Sequence, residues 1–137
     1  QVYTYADGRI DRGLSDDGDD ISGNRIPEVP RSYANLTLGL GYKGIWDASV
    51  TATYRGDFFT DTENSFEYEV EDGEVESGFV EDVWLLSARS NFKVTNDLTL
   101  FVTGTNLTDE FYITDIDEGI KPGQGRTIMG GFTWKFD

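Results

Sequence analysis

At 137 residues the chain is one domain's worth of polypeptide or a piece of something larger. Its 26 Asp and Glu against 11 Lys and Arg, a net charge of -15, exclude a nucleic-acid surface, which would need clustered positive charge. Cys and His are both absent, which removes disulfides, the usual zinc sites and Ser-His or Cys-His catalysis.

Low mean hydropathy with high net charge can signal disorder, but an aromatic content of 14% argues against it. No apolar run approaches the roughly 18–20 residues of a membrane-spanning helix. Plentiful glycine (16) and scarce proline (3) suit strands and turns. No signal peptide is visible and the first residue is Gln1, so an exported protein is expected here as a mature form or a fragment.

The first segment, QVYTYAD, reads as the end of a strand. YANLTLGLGYK then sets Ala34, Leu36, Leu38, Leu40 and Tyr42 against Asn35, Thr37, Gly39, Gly41 and Lys43. DASVTATYRGDF sets Ala48, Val50, Ala52 and Tyr54 against Ser49, Thr51, Thr53 and Arg55. VWLLSARSNFKV sets Trp84, Leu86, Ala88, Phe92 and Val94 against Ser87, Arg89, Asn91 and Lys93. DLTLFVTGTN repeats the pattern with Leu98, Leu100 and Val102, Phe101 being an exception. RTIMGGFTWKF closes it with Ile128, Gly130, Phe132, Trp134 and Phe136 on one face. A period of two throughout predicts about six strands, each with one apolar face.

The connections alternate in length. KGIWD (43–47) and VTND (94–97) are tight turns, whereas roughly 7–31, 57–82 and 109–125 are long. Strands of about ten residues with short turns at one end and long loops at the other are the signature of an outer-membrane barrel. Charge divides the same way: only Asp47, Asp97 and Asp137 of the acidic residues lie outside the long segments. From Gly56 to Ala88 there is no Lys or Arg. The expected fold class is therefore all-β, an antiparallel transmembrane β-barrel segment. Tyr33, Tyr42, Trp46, Phe58 and Phe59 are expected in the aromatic girdles at the two interfaces. Six strands cannot close a membrane barrel, so other strands or other copies must complete it. A soluble antiparallel sandwich is the alternative, although its turns recur every 8–12 residues or so.

Four stretches together resemble the C-terminal part of a TonB-dependent outer-membrane receptor. GNRIPEVPRSYANLTLGLGY (23–42) is similar to a loop-to-strand segment with a P-x-x-P-R turn. YRGDFFTDTENS (54–65) resembles an up-strand with an acidic tip, and NLTDEFY (106–112) the element near the outer end of the penultimate strand. GQGRTIMGGFTWKF (123–136) resembles the closing strand. The spacing of the middle loop is most similar to ferric-citrate-type receptors. The resemblance implies six strands of a 22-stranded barrel whose plug domain is absent from this sequence. It implies uptake of an iron chelate or similar nutrient across the bacterial cell outer membrane. It also implies as partners the remaining barrel and plug, TonB through that plug, outer-membrane lipid and lipopolysaccharide, and the barrel-assembly machinery. Gly131, Trp134 and Phe136 fit the family's assembly signal, with departures at Met129, at Gly130 and in the terminal Asp137.

NLTDEFY reads mainly as a turn, since Asn106 and Asp109 can bond nearby backbone. DDGDD (16–20) fails the EF-hand pattern and reads as a solvated acidic loop, as does the run from Glu63 to Glu76. Acidic loops favour cationic over anionic ligands. Arg55, Arg89, Lys43, Lys93 and Lys135 are expected to face the lumen, chiefly as partners of plug carboxylates. Arg25, Arg31 and Arg126, at loop boundaries near the outer mouth, are the candidate ligand-binding residues. The sequons at Asn35 and Asn106 carry no weight in such strands. Neither a resident metal or cofactor nor enzymatic chemistry is expected. A separate chain or assembly substrate completing a barrel by edge-strand pairing is the other reading, and a soluble all-β binding module a third.

Overall fold

The computed structural model describes residues 1–136; the Asp137 departure lies outside the described residues. Its strands are β1 (Val2–Tyr5), β2 (Ser32–Tyr42), β3 (Trp46–Arg55), β4 (Phe58–Phe59), β5 (Glu69–Glu71) and β6 (Glu74–Ser77). They continue as β7 (Phe79–Val80), β8 (Val83–Lys93), β9 (Leu98–Thr105), β10 (Ile113–Ile116), β11 (Ile120–Pro122) and β12 (Thr127–Trp134). Six of them form one antiparallel sheet in the order β1-β2-β3-β8-β9-β12. These are the six strands the alternation predicts.

Register carries the apolar face unbroken across the sheet. Leu38 lies opposite Val50, and Val50 opposite Ala88. Ala88 lies opposite Gly104, and Gly104 opposite Ile128. A slip of one residue in any pair would invert that strand's faces, so the pattern itself pins the register. The other face is a ladder of small polar side chains: Thr37 and Thr51 hydroxyls are 2.9 Å apart, and Asn35 donates to Thr53. Neither face is covered. Leu38, Leu40, Ile128 and Phe132 are all about 70% exposed, which in water would cost about 25 cal/mol for each Å² left bare.

Phe101, the exception in β9, has its reason here. It sits opposite Gly131, and its ring occupies the space where a Gly131 side chain would stand. An aromatic laid over a cross-strand glycine covers backbone that glycine leaves bare.

Three expectations change. Phe58 and Phe59 are buried, not in a girdle, because they pair with β7 above the sheet. Tyr33 lies opposite Arg55 on the polar face, because its neighbour Ala34 takes the apolar one. On the apolar face near the long-loop end the register instead sets Tyr3, Ala34, Tyr54 and Trp84 in one row, with the Tyr54 and Trp84 ring centroids 4.8 Å apart. Tyr42 and Trp46 do pair at the opposite end. Lys43 is not on the polar wall but in the turn, at φ 49°, with its ammonium over the Tyr42 ring.

Candidate functional site

The long segments are not featureless. All three emerge at one end of the sheet and carry short pairings of their own. Segment 7–31 folds on itself through bridges Arg9↔Arg25 and Leu14↔Asp20. Segment 57–82 holds the β4–β7 pair and the β5–β6 hairpin. The hairpin turns at Asp72-Gly73, both at positive φ, the geometry that an Asp-Gly pair supplies. Segment 109–125 holds the β10–β11 hairpin.

The chain's buried apolar cluster lies here, not in the sheet. Phe58, Val80 and Ile116 form it, with Val75 and Ile113 packed against them, so it joins the second and third segments. Gly119 N–H also donates to Val75 O. Phe59, Phe66 and Phe79 form an adjoining ring cluster with centroids 5.0–5.2 Å apart.

The first segment is tied to the second by polar contacts. Asn24 Nδ2 donates to the carbonyls of Thr62 and Glu63. Asn64, at φ 58°, accepts from Arg25 N–H and donates to Arg25 O. Glu28 N–H donates to Phe59 O at 2.7 Å.

Arg25 is at the centre of this seam and only 7% exposed. Its Nη1 lies 2.8 Å from Asp57 Oδ2 and its Nη2 2.7 Å from Asp57 O. The guanidinium also covers the Phe59 ring at 5.2 Å. Arg31 faces Asp7 at 3.5 Å, and Arg126 faces Asp109 at 3.8 Å. The three predicted arginines thus have separate carboxylate partners. The partners Asn24, Asn64 and Asp57 escaped sequence reasoning, since their contacts join positions more than thirty residues apart.

NLTDEFY closes the third segment. Asn106 is 4% exposed; its Nδ2 donates to Glu110 O and Gln124 O, and its Oδ1 accepts from Glu110 N–H. Asp109 Oδ1 accepts from Arg126 N–H. Asn106 and Asp109 both have positive φ, at 47° and 57°, which Asn and Asp tolerate better than other residues with a side chain. The turn reading of this motif is what the geometry contains.

At the other end of the last strand, Trp134 and Phe136 stack with centroids 6.2 Å apart, and Gly131 lies under Phe101. Arg89 and Asn91 line the polar face, with Asn91 donating to Asp47. Arg55 stands at the top of that face between the Phe58 and Tyr112 rings and donates to Glu81 O.

This end of the sheet is acidic. A cavity of about 360 Å³ between the first two segments is lined by Asp16, Asp17, Asp61, Glu63 and Glu69, with Leu14 beside them. Among the described residues no cluster of carboxylates is close enough to hold a metal ion. Nearby, hydrogen bonds from the Ser22 side chain and backbone hold the Asp20 carboxyl below its ordinary value.

A family profile described as TonB dependent receptor-like, beta-barrel matches residues 1–107. No curated protein matches the chain. Among solved structures, the siderophore receptor PiuA from Acinetobacter baumannii is similar at TM-score 0.77 and 19% identity, over 98% of this chain and 19% of that one. The ferric citrate transporter FecA in its unliganded form is similar at TM-score 0.71 and 26% identity, over 82% of this chain and 18% of that one. The ferric-catecholate import receptor Fiu from E. coli K12 gives 0.74 and 21%, over 98% and 18%. The chain spans under a fifth of the length of each of these three.

Proposed function

This chain belongs to the family of TonB-dependent receptor β-barrels, and we propose on that footing that its six strands are part of a receptor taking up an iron chelate or similar nutrient. The family is one of receptors and transporters, not enzymes, and its place is the bacterial outer membrane.

One observation carries the reading: a sheet bare on both faces, with its only buried apolar cluster among the described residues in the loops at one end. An apolar face fits lipid, and a hydroxyl-lined face fits a lumen filled by a plug. The interlocked loops then form the capture surface outside the cell, the plug gates the lumen and TonB supplies energy. Arg25 ties the first segment to the second through Asp57, while the partly exposed Arg31 and Arg126, beside Asp7 and Asp109, are the candidates to meet the ligand. Gly131, Trp134 and Phe136 serve as the assembly signal.

The test is titration of the intact receptor in detergent against a panel of ferric chelates, read by tryptophan quenching. Saturable binding of one chelate supports the reading, and a folded receptor that binds none refutes it. A second reading rests on β1 and β12, which are both open edges of the sheet. A chain that completes a barrel by pairing at those edges would show the mass of a separate polypeptide beside partner chains in the purified particle.

A further inference from the structure

We propose that the outer mouth takes a cationic group, seated by Glu81 and Asp82 together with the rings of Tyr68, Phe111 and Tyr112. The inference deepens the capture reading above and rests on it.

The charge of these three segments disfavours the opposite sign. Of the basic residues at the outer end, Arg9, Arg25, Arg31, Lys121 and Arg126 are each held by a carboxylate of the loops. Arg55 is enclosed by the Phe58 and Tyr112 rings, which leaves Arg12 without an assigned partner among the described residues. An anionic ligand would meet few free positive groups and a large excess of carboxylates. Repulsion of that kind acts on encounter as well as on binding.

Geometry supplies the seat. Glu81 and Asp82 immediately precede β8, and neither carboxylate is in an ion pair among the described residues. They line a cavity of about 230 Å³ with Tyr68, Phe111, Tyr112 and Ile113, where the second and third segments meet. Ring faces carry negative potential and attract ammonium or guanidinium groups, and a neighbouring carboxylate adds to that attraction. The Tyr112 ring already has the Arg55 guanidinium 6.0 Å from its centre. Phe111, which lines this cavity, is 77% exposed and so leaves its ring open to a ligand. The volume is below the roughly 300–1,000 Å³ of whole-ligand pockets, so it suits a charged tail of a larger molecule.

The test uses the intact receptor in detergent and two matched pairs of probes. One pair is a ferric tris-hydroxamate with a free ammonium tail and the same chelate N-acetylated. The other is 1,5-diaminopentane and its di-N-acetyl form, without iron. The ammonium member of a pair should bind about tenfold tighter, the scale of one well-formed cation–π or charge-assisted contact. The preference should vanish in Glu81→Gln/Asp82→Asn and weaken in Phe111→Leu, a second variant at an exposed position that leaves packing intact. Preference for the ammonium diamine with no binding of either chelate would uphold the cation seat, and the same failure across the whole panel of ferric chelates would sink the iron reading. Equal binding within both pairs, no binding of any probe, or a preference that survives the double variant overturns the proposal.

Discussion

Replacing Arg25 should open the outer cap without loosening the strands. In Arg25→Ala, two charge-assisted bonds to Asp57 and the cover over Phe59 are lost together. Removing one partner of a fully buried ion pair costs about 3–5 kcal/mol. Here the Arg25 side chain is 9% exposed but that of Asp57 is 38%, so water can resolvate the orphaned carboxylate. The cost is then about 2 kcal/mol, close to one strong charged hydrogen bond. At about 1.4 kcal/mol per decade, that raises the open population of the seam roughly 30-fold. Hydrogen exchange on the intact receptor in detergent reads this directly. Amides that close the seam, Glu28 and Arg25 among them, should exchange faster by about that factor, provided local opening governs their exchange. Amides of β3 and β8 should keep their protection. Unchanged exchange at the seam, or equal acceleration in the strands, would refute the clamp.

Three further outcomes follow from the same geometry. Gly131→Ala puts a methyl where the Phe101 ring lies, and should lower stability by about 1–3 kcal/mol in urea titration, with recovery in Gly131→Ala/Phe101→Leu. Asn106→Ala strips partners from two carbonyls and one N–H, at about 1 kcal/mol each, so limited proteolysis should cut within 107–125 well before the strands unfold. Val50→Arg, at the middle of β3 on the apolar face, should cost about 2–4 kcal/mol of bilayer refolding, while Thr51→Arg on the polar face should refold nearly as the parent does.

The strands were legible because each lies between two different surroundings, and a period of two records that directly. Even Tyr33 was readable from Ala34 beside it; its position near a strand end suggested a girdle instead. The cap was legible only in part. A pair of aromatics such as Phe58 and Phe59 has the same local pattern at a membrane interface as in a small core. What decides it for Phe58 is Val80 and Ile116, more than twenty residues away. The Arg25–Asn64 exchange is still less visible, since side-chain bonds to backbone leave no periodic trace. NLTDEFY was readable because its bonds are short in sequence and use residues suited to positive φ.

The small size of the loop cluster bears on how the mouth would respond to solution conditions. Denaturant sensitivity scales with surface newly exposed, and opening a seam held by Asn24, Asn64 and Arg25 uncovers little apolar area. Such an opening has a small m-value and contributes little to the heat capacity of unfolding. Urea would therefore leave its equilibrium almost untouched until the strands themselves give way. Ionic strength is the stronger lever, because it weakens the half-exposed Arg25–Asp57 pair while also screening the crowded carboxylates around it. The two effects oppose each other, so the direction in which added salt moves the opening reports which of them governs the loops of an outer-surface receptor.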